Sequence, residues 1–215
     1  MTFTVPEALR WVLRESQGDG YRALFQASAD SIRDVGAATK SLRGCQLGYF
    51  GVLHTWGRDP MVYHPHVHFV VPGGGVVLDD AGHANRWEST PENFLFHHGT
   101  LIKVYGAKLA DALRECGLYD QVPREIWNQQ FVVDIQPVGD GQAVLKYLAP
   151  YVNRVAISDS RIIAYDDSSV TYRYRPSGSN TWKQRTVRTA ERTATGNSVT
   201  QEWSDASSGL LEPRP

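Results

Sequence analysis

Residues 63–71 read Tyr-His-Pro-His-Val-His-Phe-Val-Val, and histidine takes every second position from 64 to 68. Successive side chains of a strand point to opposite faces of the sheet. His64, His66 and His68 therefore share one face, and the apolar residues between them predict a strand whose other face is buried. Three adjacent imidazoles add nothing to such a core, because each needs a partner when neutral and repels its neighbours when protonated.

A divalent metal ion accounts for this histidine face. Imidazole nitrogens at alternate strand positions can converge on one ion and leave coordination sites open for a substrate oxygen. His66 and His68 are the best pair of ligands. His54, on the strand predicted for residues 45–56, is the expected third ligand, with His64 as its competitor. A strand whose histidines are solvated, or satisfied within the core, is the alternative interpretation.

Two tyrosines form a second constellation. Tyr147 and Tyr151 lie four residues apart on a helix predicted for residues 141–151, so they share a face of it. A pair of this kind is also typical of an apolar core stripe. Beside a metal, however, a phenol can attack phosphorus, since positioning and charge neutralisation supply most of the catalysis in phosphoryl transfer. Lys146 is expected either to neutralise the scissile phosphate or to lie in solvent.

The rest of the chain alternates predicted helices and strands, typical of one domain with a sizeable core. Gly18-Asp19-Gly20 predicts a break between the first two helices, and residues 79–93 read as a polar loop. Gly73-Gly74-Gly75 lacks the lysine and spacing of a phosphate-binding loop, so no nucleotide cofactor is expected and a simple turn is predicted.

Composition narrows the class of protein further. Of 215 residues, 41% are hydrophobic and 21% charged, which excludes a disordered chain. No apolar run is long enough to span a bilayer, so no membrane partner is expected. Cys45 and Cys116 fit neither a disulfide framework nor a zinc site, which favours a cytoplasmic protein.

The net charge of −1 hides an asymmetry along the chain. Residues 171–192 hold six basic side chains and one acidic one, and aromatic residues alternate with them. Aromatic rings can stack on unpaired bases while cations hold phosphates, so a DNA-binding surface is predicted. An ordinary hairpin with a solvated face is the alternative. The candidate DNA-binding residues in this stripe are Arg173, Arg175, Lys183 and Arg185.

Several of these motifs together resemble one known family. His66-Val67-His68 is similar to the histidine–hydrophobic–histidine signature of the HUH endonuclease superfamily. Over roughly residues 2–187 the chain resembles the two-tyrosine rolling-circle transposases of bacterial insertion sequences. The stretches that carry this resemblance are residues 52–57, 64–68, 71–75, 147–151 and 154–158.

The resemblance implies both a fold and an activity. The fold is α+β and palm or ferredoxin-like, with a central antiparallel sheet and helices packed mainly on one face. The activity is that of a Mg²⁺- or Mn²⁺-dependent transposase acting on single-stranded or hairpin DNA at transposon ends. It nicks and rejoins DNA in rolling-circle transposition, with Tyr147 and Tyr151 as the nucleophiles that form a 5′-phosphotyrosine link.

The chain departs from this family at both ends. It lacks the usual cysteine-rich zinc-binding region and the usual basic C-terminal part, so it resembles a truncated transposase. A catalytic domain over residues 1–187 and a disordered tail over 188–215 are expected. A non-catalytic DNA-binding remnant and a small-molecule metallohydrolase remain the alternative functions.

Overall fold

The computed structural model describes residues 1–57, 59–60, 62–129, 131–137, 139, 142–144, 157–176 and 178–188. The α-helices are α1 (Glu7–Glu15), α2 (Gln17–Ala38) and α3 (His98–Glu115). The strands are β1 (Thr2–Thr4), β2 (Phe50–Trp56), β3 (Tyr63–Val70), β4 (Gly74–Leu78), β5 (Ala84–Ser89), β6 (Val132–Asp134), β7 (Ile162–Tyr165), β8 (Ser169–Tyr174) and β9 (Lys183–Arg188).

These elements divide into two compact units, and the first contains a four-stranded sheet. This unit comprises Met1–Thr55 and His64–Val152. Its strand order is β2-β3-β1-β6, and β1 pairs antiparallel with both β3 and β6. The strand predicted around residues 64–68 is confirmed as β3. The protein is a mixed α+β structure with antiparallel sheets, as the sequence predicts at this level.

One face of the four-stranded sheet forms the main core. Phe3 and Phe69 are 0% and 1% exposed and lie edge to face, with ring centroids 5.8 Å apart. Tyr105 of α3 packs edge-on against Phe3, and Phe25 of α2 packs against Phe69. Aromatic side chains from two helices therefore cover this face. Polar residues of the same strands lie on the opposite face of the sheet.

The first two helices are separated at a different point from the one predicted. Gly18 and Gly20 lie inside α2, and Ser16 provides the non-helical residue, at φ −127° and ψ 57°. A Cβ atom at Gly20 would lie 2.7 Å from Leu13 Cδ2 and 3.1 Å from Leu13 Cα. The glycine is thus needed for close packing of α1 on α2 and does not end a helix, so the predicted break is wrong.

The predicted polar loop at 79–93 is also partly wrong, because β4 and β5 pair there as an antiparallel hairpin. Gly74 belongs to β4 and does not act as a turn. A Cβ atom at Gly74 would lie 2.4 Å from the carbonyl oxygen of Glu88 and 2.5 Å from the Trp87 ring. The glycine therefore admits the indole of the partner strand.

The second unit comprises Trp56–Tyr63 and Asn153–Pro215, and its described part contains the antiparallel sheet β7-β8-β9. Tyr172 of β8 is 1% exposed and donates a hydrogen bond of 2.9 Å to Asp59 Oδ1. Arg185 of β9 forms an ion pair of 2.6 Å with Asp59 Oδ2. Burial, and then the bond to Asp59, raises the pKa of Tyr172, so its hydroxyl stays protonated and keeps donating. Asp59 thereby joins the Trp56–Tyr63 segment to the sheet.

Within the described residues, no helix combines the length and the hydropathy that a membrane span requires. Residues 189–215 lie outside the described residues, so the tail predicted for 188–215 and the domain boundary at 187 stay predictions.

Candidate metal centre

The register of the first sheet places two histidines on its polar face. His66 lies opposite Thr4 and His68 opposite Thr2, while Val67 lies opposite Phe3. Residues directly opposite each other on paired strands share a face. Because Val67 and Phe3 are both fully buried in the core, the two histidines and two threonines belong to the other face.

His54 on β2 joins this pair. The candidate ligand atoms of His54, His66 and His68 all lie within 4.8 Å of one another. The ring centroids are 4.8 Å apart for His66 and His68, 4.8 Å for His54 and His68, and 5.3 Å for His54 and His66. His66 and His68 are 9% and 6% exposed, and His54 is half-buried. We call these three residues the His triad. His64 is not a member, although its ring centroid lies 5.3 Å from that of His66.

Hydrogen bonds orient the two buried rings. His66 Nδ1 lies 2.6 Å from the backbone carbonyl of His64, and a carbonyl only accepts, so Nδ1 carries the hydrogen in this contact. His68 Nδ1 lies 3.0 Å from Thr2 Oγ1. With Nδ1 engaged in each ring, Nε2 is the nitrogen that would bind a metal. Such outer contacts fix the tautomer and the orientation of a ligating imidazole.

The triad fits a divalent metal ion. Two imidazole nitrogens on one zinc-like ion lie at most about 4.2 Å apart, twice a bond of ~2.1 Å, so small side-chain adjustments bring the triad within reach. Three neutral imidazoles also leave the ion its full double charge, whereas each carboxylate ligand would offset part of it. The donor set therefore suits a site that must neutralise an anion.

The surroundings of His64 lower its pKa. Burial lowers the pKa of His64, and the positive charge of Arg10 on α1 lowers it further. The imidazole of His64 therefore stays neutral to lower pH than an ordinary histidine. Arg10 provides a fixed positive charge close to His64 on β3. The spacing of residues in the sequence does not indicate this proximity.

Thr2 supplies the contact most easily tested at this centre. Replacing Thr2 by valine keeps the shape but removes the hydroxyl that orients His68, so metal affinity is expected to fall by roughly 10-fold. The matched control is Thr4→Val, since Thr4 lies on the same face of β1 but donates to the carbonyl of Val132 at 3.2 Å. Calorimetric titration with Mn²⁺ measures both. Equal losses in the two variants would contradict an orienting role for Thr2.

The structure describes some of the other predicted site residues and not the rest. Lys146, Tyr147 and Tyr151 lie outside the described residues, so their roles stay predictions. Arg173 and Arg175 are exposed on the second unit. On the paired strands β8 and β9, Lys183 lies opposite Tyr174 and Arg185 lies opposite Tyr172. Arg185 also forms an ion pair with Asp59.

Comparison with known proteins identifies the family. Residues 48–193 match the model of a transposase family described as "Putative transposase". The chain is 30% identical over 194 residues to "Putative transposase y4qJ" of Sinorhizobium fredii, covering 81% of this chain and 47% of that protein. It is 27% identical over 217 residues to the transposase for insertion sequence element IS801 of Pseudomonas savastanoi pv. phaseolicola, covering 89% of this chain and 48% of that protein.

The chain thus spans about half the length of these curated relatives. No solved structure matches it significantly. The match to the family model includes β2, β3 and the whole His triad, and it extends through the second sheet. The chain belongs to this family of transposases.

Proposed function

We propose that this chain is the catalytic part of a transposase that nicks and rejoins single-stranded DNA through a phosphotyrosine link, in rolling-circle transposition. The observation that carries the proposal is the convergence of His54, His66 and His68 in a chain of a transposase family. The HUH interpretation of the sequence requires such a cluster on the polar face of a sheet. DNA is the substrate expected of this family, in its single-stranded or hairpin form.

The triad residues would hold a divalent ion, Mn²⁺ or Mg²⁺. When bound, the ion supplies positive charge that polarises and neutralises the scissile phosphate. Of these two ions, Mn²⁺ is the better match, because Mg²⁺ strongly prefers oxygen ligands and the triad offers only nitrogen. Thr2 and the His64 carbonyl keep the ligating rings in place, and Arg10 adds positive charge nearby.

Tyr147 and Tyr151 are the proposed nucleophiles. The phenol oxygen forms a bond to phosphorus as the bond from phosphorus to the 3′ oxygen breaks. The phenol proton passes, in the net reaction, to that oxygen, so the products are a 5′-phosphotyrosine and a free 3′-hydroxyl. One phosphoester replaces another, and the reverse reaction with a new 3′-hydroxyl rejoins the strand.

A covalent adduct tests the tyrosine assignment. Wild-type protein incubated with labelled single-stranded oligonucleotide and Mn²⁺ is expected to give a protein-linked DNA band on a denaturing gel. The double variant Tyr147→Phe/Tyr151→Phe is expected to lose the band, because it lacks both phenol oxygens, while Mn²⁺ affinity stays unchanged. Tyr119→Phe serves as the control, since Tyr119 stacks on Trp127 with ring centroids 4.7 Å apart and its ring is retained.

The same gel separates the alternative functions. An unchanged adduct in the double variant would show that another group attacks the DNA. A mobility shift on a native gel without covalent linkage would favour a non-catalytic DNA-binding remnant. Metal binding with neither linkage nor a shift would favour a small-molecule metallohydrolase.

A further inference from the structure

The second sheet has one face that is open to solvent. Tyr172, which is buried, lies opposite Arg185, while Arg173 lies opposite Gln184. Because side chains alternate along a strand, Arg173 and Arg175 lie on the face opposite Tyr172. Trp182, the residue before Lys183, shares that face and is 42% exposed.

Three arginines gather around this tryptophan. The guanidinium carbons of Arg161, Arg173 and Arg175 lie 5.5, 5.4 and 4.5 Å from the centroid of the Trp182 ring. Arg173 also donates to the carbonyl of Ser160 at 2.9 Å, which fixes its position. We call these four residues the Arg–Trp cluster.

The charge around the cluster favours an anionic ligand. The sequence has no aspartate or glutamate from 168 to 188, the stretch that forms β8, β9 and their connection. Attraction to the indole holds each guanidinium near the ring, but like charges such as those of Arg173 and Arg175 repel one another when they lie close together. A bound anion would relieve that repulsion.

The combination of an exposed indole and planar cations favours a particular kind of anion. Phosphate alone needs only cations, whereas unpaired bases also stack on aromatic rings and on guanidinium planes. A duplex offers its phosphates but keeps its bases stacked inside, where an indole on a sheet surface does not reach them. The arrangement therefore suits a single strand.

We propose that the Arg–Trp cluster binds single-stranded DNA, with a base stacked on Trp182 or an adjoining guanidinium and with Arg161, Arg173 and Arg175 on the phosphates. This inference rests on the proposed function only for the choice of DNA, and not RNA, as the single strand. The proposed binding needs no metal. The sequence predicts DNA binding for Arg173 and Arg175, and the geometry places Trp182 and Arg161 beside them.

Fluorescence anisotropy in the presence of EDTA tests the proposal with the full chain. The probe is a labelled mixed-sequence DNA strand of ~12 nucleotides, within the usual site sizes for single strands. The comparison ligands are a fully abasic strand of the same length, the corresponding duplex and RNA of the same sequence. The DNA single strand is expected to bind most tightly. Equal binding of the abasic strand would overturn the stacking role, and tighter binding of the duplex or of RNA would overturn the choice of ligand.

Two variants separate stacking from charge. Trp182→Ala is expected to weaken single-strand binding by at least about fivefold, the lower end of base–aromatic stacking, with no change in salt dependence. Arg175→Gln is expected to weaken binding and to reduce the slope of log affinity against log salt by about 0.7, the value for one phosphate contact on a single strand. Trp182→Phe, which keeps an aromatic face, is expected to restore most of the affinity.

Arg114→Gln is the matched control. Arg114 is also an exposed arginine stacked over one aromatic ring, 3.9 Å from the centroid of Tyr119, but it belongs to α3 in the first unit and not to the cluster. It is expected to bind DNA like wild type. An equal loss in Arg114→Gln and Arg175→Gln would overturn the cluster as a site, because it would show a general charge effect. Wild-type affinity in Trp182→Ala, with its unfolding midpoint unchanged, would overturn it as well.

Failure of this inference is distinguishable from failure of the proposed function. The binding assay contains no divalent ion, so it gives its result whether or not the protein forms a covalent adduct. If no adduct forms but DNA binding still depends on the cluster, the proposed nuclease activity is refuted and the binding site is retained. If the adduct forms normally but the cluster variants bind DNA like wild type, the binding site is refuted and the proposed nuclease activity is retained.

Discussion

Replacing His66 by alanine is expected to remove metal binding and adduct formation together. The substitution deletes one of three ligating rings, and His66 is only 9% exposed, so water replaces the lost nitrogen poorly. Mn²⁺ affinity should fall by more than the roughly 10–100-fold that loss of an outer contact costs. Calorimetric titration with Mn²⁺ and Mg²⁺ measures the loss, and the denaturing gel reports the adduct.

Further histidine variants identify the third ligand. His54→Ala is expected to weaken Mn²⁺ binding strongly, whereas His64→Ala should change it little. The His64 variant retains the backbone carbonyl that orients His66, so it removes only the competing side chain. His83→Ala, at a side chain that is 79% exposed, is the control for histidine loss in general. Wild-type affinity in His66→Ala would refute the triad, and a larger loss in His64→Ala than in His54→Ala would refute the choice of His54.

Of the substitutions proposed for this protein, Asp59→Ala is expected to lower the free energy of unfolding the most. The substitution leaves Tyr172 and Arg185 without their shared acceptor. Breaking a fully buried ion pair costs about 3–5 kcal/mol, and exposure of 43% of the Arg185 side chain reduces the expected cost to about 2–3 kcal/mol. Urea unfolding monitored by circular dichroism measures the free energy of unfolding.

The chain offers a closely matched control for this substitution. Asp111 and Arg114 form an ion pair of the same length, 2.6 Å, but the two side chains are 70% and 50% exposed. Asp111→Ala should therefore cost less than about 1 kcal/mol. Tyr172→Phe, which removes the hydroxyl that donates to Asp59, should fall between the two. A cost for Asp59→Ala no greater than that for Asp111→Ala would show that burial does not strengthen the pair.

Alternation of apolar and polar residues made β3 and its histidine face predictable. The same pattern does not reveal which strand lies beside β3. Thr2 meets His68 only because β1, some 60 residues earlier in the chain, pairs with β3 in that register. No feature near Thr2 in the sequence marks it as a partner of a histidine. Likewise Arg10 reads simply as one basic residue of an amphipathic helix.

Two of the wrong predictions in the fold concern glycines. Gly20 and Gly74 are read from sequence as breaks, because glycine is frequent in turns. In the structure both positions lack a side chain so that a neighbour can approach, Leu13 in one case and Trp87 in the other. The need for close approach depends on tertiary packing, which local sequence does not contain.

The position of Asp59 has a practical consequence for dividing the protein. The Trp56–Tyr63 segment lies between the two histidine strands in the sequence but belongs to the second unit. An N-terminal piece ending before residue 157 would retain His54, His66 and His68, yet Asp59 would lose both of its donors from β8 and β9. The link between the histidine strands would then carry a carboxylate with neither of those partners. Recombinant pieces meant to isolate the histidine centre should therefore extend through Arg188.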